Sequence, residues 1–594
     1  MRFKSAKRDG FQVFAVSGVN TVSFGIEASA KARVGLLGFA VERYDPKENE
    51  RYPMPGFKVF PSVIPHPDAS TQVSTRDHPV QSLVWDDFTA KDGRSYEYSF
   101  FPVRGVPRNL DHGAPPVKLL IRTEALFSKL EHDVFFNRGV ASSQAYTRRF
   151  GNKKPDDLPP DKQKEARAWL SRNLDDALLR FIRQARRNDS LLCCFYEFSY
   201  APVAEALQAA LGRGVAVTII IDAKNNGTTD KKGKTHPAFP RVENLATLEA
   251  AGIARTNVVY REARTNDIQH NKFMVLLKGK RQRPAEVWTG STNISDGAIH
   301  GQTNVGHWVR DTVVAEHFRA YWEMLRTDPG AHEGDADPRK RNADLADAVQ
   351  GLSPAPADAA TIAPGVTPVF SPRRGLSVLG LYVELLDKAQ HSAHITLAFG
   401  IGKDFKDALK SHTPKSPITF VMLEKRDAPT PANRASFVWL NSRQNVYEAW
   451  GSFIKDPLYQ WARETNAMQL GLNLHVSYVH CKFLLRDPLG AGPLVVTGSA
   501  NFSAASTNAN DENMLLIRGN KRVADIYFTE FNRIFNHYYF RSVVEATAGG
   551  PDAAKNAEGN LFLAETPDGW LQKYKPGSLK QKRVELYVGM TGFA

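Results

Sequence analysis

The feature that most constrains this chain is a duplication. His270-Asn-Lys272 is followed by TGSTN, with Gly290, Ser291 and Asn293, and His480-Cys-Lys482 by TGSAN, with Gly498, Ser499 and Asn501. Asn293 lies 23 residues after His270, and Asn501 lies 21 after His480. The surrounding texture is also duplicated. Ahead of the first motif stand the apolar run DSLLCCFYEFSY, the helical PVAEALQAALGRG and the apolar run VAVTIIIDA. Ahead of the second stand SAHITLAFG, DFKDALKSH and ITFVMLEK. Strand, helix and strand in that order make a βαβ unit and require a parallel or mixed sheet. The sequence therefore predicts an α/β protein of two tandem βα repeats, with a period of roughly 200 residues.

Other segments differ. Residues 1–125 contain alternating apolar and polar runs (VNTVSFGIEA, VGLLGFAVERYD, RSYEYSFFPVRG) of the kind that half-buried antiparallel strands show. Tyr96, three residues after the turn glycine Gly93, is placed like the tyrosine corner of an Ig-like sandwich. Residues 126–165 read as a linker, 166–330 as the first half, 331–374 as an Ala/Pro/Asp-rich linker or surface loop, and 375–545 as the second half. Residues 546–594 form a basic and aromatic extension whose WLQKYKPGSLKQKR run suits either base stacking or a strap docked on the core.

The paired motifs specify a chemistry. In extended backbone, residues i and i+2 share a face, so each His and Lys point into one site while Asn271 and Cys481 point away. Cys481 is thus expected to be a packed thiol. A neutral imidazole can attack phosphorus and split a slow displacement into two steps, while a second, protonated imidazole serves the leaving oxygen. Two lysines and two asparagines supply cations and amide donors for the charge that builds on the phosphoryl oxygens, so neither a metal nor a cofactor is expected. A lone His-x-Lys would carry no such meaning; two in a repeat, each with its G-S-x-N, do. His300 and His307 lack any ligand spacing and read as packed or solvated side chains.

Paired H-x-K motifs, each followed by G-S-x-N, resemble the phospholipase D superfamily over about residues 165–545. The N-terminal string resembles a fibronectin type III module. The resemblance implies two repeats packed as a pseudo-twofold pair behind an all-β Ig-like sandwich. It also implies a metal-independent phosphodiesterase working through a phosphohistidine. Its catalytic set would be His270, Lys272, Asn293, His480, Lys482, Asn501 and Glu512, supported by Gly290, Ser291, Gly498, Ser499 and Asn304. Asp487 would be the structural motif residue. The first half departs from the family pattern at Leu277, where the motif Asp would stand, and at Asn304, where a carboxylate would orient a histidine. The expectation is that Asn304 holds His270, the nucleophile, and that Glu512 holds His480, the acid.

Composition narrows the partner. The formal net charge is +14, which favours a polyanion. Nucleic acid is the expected substrate, with phospholipid headgroups at an anionic membrane surface and catalytically weak polyanion binding as the alternatives. The basic runs 224–236 and 277–283 are candidate contacts. A protein partner on the β-module is a further option. Three cysteines exclude a disulfide framework. With neither a signal-length apolar core at the start nor an apolar span, the sequence predicts a soluble, cytoplasmic protein, with export by a route using no cleaved signal left open.

Overall fold

The computed structural model describes residues 1–56, 58–67, 71–139, 144–151, 153–231, 233–431, 433–452, 477–547 and 562–593. The two halves are built alike. In the first, strands β1 (His132–Phe136), β2 (Ser190–Phe195), β3 (Ala216–Asp222), β4 (Val258–Arg261), β5 (Lys272–Lys278), β6 (Arg283–Gly290) and β7 (Val305–Val309) form a seven-stranded sheet ordered β1-β7-β6-β5-β2-β3-β4. In the second, β8 (Gly365–Ser371), β9 (Ser392–Leu397), β10 (Ile418–Leu423), β11 (Val446–Trp450), β12 (Phe483–Arg486), β13 (Leu494–Gly498) and β14 (Glu512–Arg518) give β8-β14-β13-β12-β9-β10-β11. This is the same order shifted by one repeat. In each sheet the two βαβ-type pairings are parallel and the rest antiparallel.

Both sheets are covered by helices, which is why β2 and β9 are buried at every position. The helix Thr312–Leu325 shows the local logic. Asp311 caps it by accepting from the Val313 and Val314 amides, an interaction worth about 1 kcal/mol. Its buried Val314, Ala315, Phe318, Tyr321, Trp322 and Leu325 recur at helical spacing. The helix Lys521–Thr547 links the whole molecule. Its Tyr527 hydroxyl donates to Thr497 of the second sheet and meets His307 of the first. Its Asp525 pairs with the buried Arg2 of the N-terminal module.

Two segments read as linkers are structured. Residues 126–165 contain β1, the edge strand of the first sheet; its five residues HDVFF are all buried, so no alternation marks it. Residues 331–374 contain the helix Pro338–Leu352, which buries only Leu345, Ala346 and Val349, and the edge strand β8. Pro368 within β8 is tolerated because an edge strand needs one ladder only.

The N-terminal module is a two-sheet β-structure. Strands Arg2–Lys4, Phe11–Ser17, Val22–Ala28 and Val84–Asp87 form one sheet, and Asn109–Asp111, Ser95–Val106, Gly38–Asp45, Glu50–Pro53 and Val117–Arg122 the other. The Lys91 amide donates to the Tyr96 hydroxyl at 2.9 Å, tying the strand back to the turn. The core between the sheets also takes in Trp570, Tyr574 and Val584 from the C-terminal segment. Trp570 Nε1 donates to the Leu36 carbonyl at 3.1 Å, and the Tyr574 hydroxyl accepts from the Leu83 amide at 2.8 Å. These rings are therefore core side chains of the module, and the segment is a strap. No helix among the described residues is long and apolar enough to cross a membrane.

Candidate active site

The two His-x-Lys motifs lie on the extended lead-in to equivalent strands, β5 and β12, and the halves are stitched together there by reciprocal bridges. The His270 amide donates to the Asp511 carbonyl (2.9 Å), and the Asp511 amide to the Ile268 carbonyl (3.0 Å). In the symmetric position the His480 amide donates to the Thr303 carbonyl (3.1 Å), and the Thr303 amide to the Tyr478 carbonyl (2.8 Å). Position 303 precedes Asn304 as 511 precedes Glu512, so each lead-in lies against the orienting residue of the other half.

The orienting partners are consequently crossed. His270 Nδ1 is 2.9 Å from both carboxylate oxygens of Glu512, and His480 Nδ1 is 2.9 Å from Asn304 Oδ1. This corrects the expectation that each histidine is held by its own half, with Asn304 on His270 and Glu512 on His480. The tautomer of His480 follows from its partner. The Asn304 amide group donates to the Ala298 carbonyl, and its oxygen accepts from the Ser291 hydroxyl at 2.8 Å. That oxygen can only accept from the ring, so Nδ1 carries the proton and Nε2 is left for the reaction.

The remaining motif residues converge on the same place. Lys272 Nζ donates to the His270 carbonyl (2.6 Å) and Lys482 Nζ to the His480 carbonyl (2.9 Å); both lysines are buried. Asn293 and Asn501 each leave the side-chain oxygen position buried without a hydrogen-bond partner among the described residues, a symmetric vacancy at the two G-S-x-N motifs. The Ser291 and Ser499 hydroxyls accept from the Val305 and Asn513 amides (3.1 and 3.0 Å) and hold β7 and β14 against the motif turns. Gly290 and Gly498 allow that approach, because a Cβ at either would collide with the carbonyl oxygen of Val305 or Asn513. Cys481 points away, buried, its thiol pushed up to about 12 by desolvation.

Asp487 lies apart from this cluster and accepts from the Gln390, His391 and Ser392 amides, fastening β12 to the start of β9. In the first half Leu277 faces Ser190, and the carboxylate has moved across the strand pair: Asp189 accepts from the Gly279 amide at 2.8 Å. Leu277 therefore leaves the fastening intact. His300 is buried beside Asp296, and His307 is packed against His132 and Tyr527.

Several supporting residues have no motif to announce them. Asp222, at the end of β3, accepts from the Gln269 amide (2.9 Å) and pairs with buried Lys224. Glu424, just after the equivalent strand β10, accepts from the Ser477, Tyr478 and Val479 amides. Each carboxylate fixes the backbone leading to a motif histidine. Arg261 and Arg264 clamp the Asp511 side chain at 2.8 and 2.9 Å. Tyr196 sets its ring edge-on to His270, centroids 5.0 Å apart. Repetition of an acid at the end of β3 and just after β10, the third strand of each half, was the available signal.

Electrostatically the site gathers buried groups whose charged forms are disfavoured. Burial lowers His270 to about 4 against the opposing pull of Glu512, and lowers Lys272 to about 8. His480 and Lys482 are driven well below their ordinary values, first by burial and then by the neighbouring lysines. Glu512, which burial alone would raise, is held below its ordinary value chiefly by His270. A bound phosphate would offset the clustered positive charge and restore protons to these groups.

The family model described as the phospholipase D-like domain of cardiolipin synthase matches residues 178–326 and 382–535, together half of the chain. The chain belongs to the phospholipase D superfamily, a family of phosphodiester-processing enzymes. Among solved structures it is similar to phosphatidylserine synthase of Haemophilus influenzae, at 10% identity over 70% of this chain and 93% of that one, TM-score 0.41. It is also similar to the phospholipase D family member Nuc of Salmonella typhimurium, at 24% identity over 25% of this chain and 84% of that one, TM-score 0.19. Polyphosphate kinase of Porphyromonas gingivalis is similar at 10% identity, TM-score 0.35; the match takes in 58% of this chain and 42% of the kinase. No curated protein matches the chain.

Proposed function

We propose that the protein is a phosphodiesterase that forms a phosphohistidine on His270 Nε2 and acts on nucleic acid. The observation that carries this reading is the crossed pairing of His270 with Glu512 and His480 with Asn304 between the two halves. Attack by Nε2 forms the N–P bond, breaks the bond from phosphorus to the leaving oxygen, and leaves a positively charged phosphoimidazole. Glu512 at Nδ1 compensates that charge and makes His270 the more basic and more nucleophilic ring. The proposal keeps the roles expected from the sequence but rests them on a different ground: the carboxylate serves the nucleophile. His480, protonated when the phosphodiester anion is bound, gives its Nε2 proton to the leaving oxygen. It then takes a proton from the water that attacks phosphorus, as the N–P bond breaks and His270 returns neutral. Lys272, Lys482, Asn293 and Asn501 stabilise the phosphoryl oxygens, so no metal enters the scheme.

Nucleic acid is favoured by the charge of +14 and by where one basic run sits. The exposed hairpin Thr228–Thr229/Thr235–His236, with Lys231 and Lys234, springs from the end of β3 beside Asp222 and the His270 lead-in. Lys232 of that run lies outside the described residues. The 277–283 run instead turns between β5 and β6, about 20 Å along the strand from Lys272 at about 3.3 Å per residue, and contributes nothing to a groove at the site. The test is hydrolysis of plasmid DNA, RNA and phosphatidylcholine vesicles side by side. Cleavage of either nucleic acid with no headgroup release is expected. Headgroup release alone would make the protein a phospholipase, and binding without turnover would make it a polyanion-binding protein.

A further inference from the structure

Away from the catalytic centre, between the N-terminal module and the C-terminal strap, lies a cavity of about 470 Å³. Its wall brings together Lys58 from the module and Lys573 and Lys580 from the strap, alongside Trp85 and Trp570. No acidic side chain lines it among the described residues. The three lysines act on one another as unneutralised like charges, and Arg583 adds to the field at Lys580. Burial, aided by Lys573, lowers Lys58 and Lys580 to about 8. Clustering cations in a partly dry pocket without a counter-charge is unfavourable unless an anion completes it.

We propose that this cavity binds a compact polyanion, a small molecule carrying phosphate groups on an apolar body. The volume falls within the range of small-molecule sites, about 300–1,000 Å³, and the two tryptophans add apolar surface to the wall that carries the amines. Lys58 and Lys580 are recessed, which suits a ligand that enters the cavity over a strand that passes across it. Because the amines come from both ends of the chain, the bound molecule would pin the strap to the module. The inference is independent of the catalytic reading and concerns other residues.

The test uses ADP, with pyrophosphate and adenosine as controls, by titration calorimetry and thermal melting on the full chain at pH 8. ADP should bind with proton uptake, pyrophosphate more weakly, and adenosine not at all. K58M and K580M should each weaken ADP at least tenfold and remove its thermal shift, while the unliganded variants melt no lower than the parent because a repulsion has gone. K272M in the catalytic centre should leave this binding in place, which separates the two anion sites. In the unaltered chain, ADP should protect Lys580 from acylation by an amine reagent, a readout that needs no variant to fold. Undiminished ADP binding in K58M and K580M, adenosine binding equal to ADP, a short oligonucleotide displacing ADP from Lys580, or absence of protection would each overturn the proposal.

Discussion

His480 Nδ1 sits 2.9 Å from the side-chain oxygen of Asn304, a residue 176 positions away in the other repeat. Its symmetric counterpart is His270 against Glu512, 242 positions apart. The repeats are alike in backbone but differ in this pair of orienting groups, amide against carboxylate. The asymmetry separates two imidazoles that the fold would otherwise make equivalent.

Replacing the two orienting groups should therefore have different signatures. Glu512→Gln should slow phosphoenzyme formation about 10–100-fold whatever the leaving group, the usual cost of losing such a partner. Asn304→Ala should spare a p-nitrophenyl diester and slow a substrate with a poor leaving group, because protonation of that group is the step His480 serves. Rapid-quench kinetics on both substrates checks the pair, and equal losses on both in Asn304→Ala would contradict the division.

Stability should fall on the acid side. His270 is held near 4 from an ordinary 6.5, so the unfolded chain takes up a proton in that window that the native chain refuses. The lowered folded value means this contribution is intact above about 6.5 and is lost as pH falls toward 4, about 3 kcal/mol in all. Buried His480 acts in the same direction. Urea melts across this range should show a smaller loss in His270→Gln than in the parent.

Chelation should leave turnover unchanged. In the proposed scheme Lys272 and Lys482 supply the cationic charge, so activity in excess EDTA should equal the untreated rate. Loss restored by magnesium would point to a metal-dependent displacement.

Gly498→Ala should destabilise the fold by about 1–3 kcal/mol, the usual cost of overpacking a closed contact, and should lower activity as well. The added Cβ meets the Asn513 carbonyl, and the strand it displaces carries Glu512. Urea denaturation measures the first effect and steady-state kinetics the second.

The repeat, the motifs and the strand-helix-strand order are legible in the sequence because each motif needs particular side chains at short, fixed spacing. The crossed pairing is not, since it depends on how the 268–270 lead-in meets Asp511 and the 478–480 lead-in meets Thr303 across the interface. Strands β1 and β8 escaped for local reasons. β1 is short and buried at every position, and β8 contains Pro368. Trp570 and Tyr574 among their lysines suit base stacking and a docked strap equally in the sequence, and only the three-dimensional return of the strap to the module shows them to be core. The moved carboxylate of Asp189 was hidden because Leu277 looked like a loss, while its replacement stood just before the neighbouring strand.

The central claim is that His270 becomes covalently phosphorylated. The most direct measurement is to load the enzyme with an activated diester, quench under alkaline conditions that preserve phosphohistidine, and map the modified residue. The account predicts phosphate on His270 in the parent, accumulation on His270 in His480→Ala, and none in His270→Ala. Phosphate on His480, or no phosphohistidine in any variant, would contradict it.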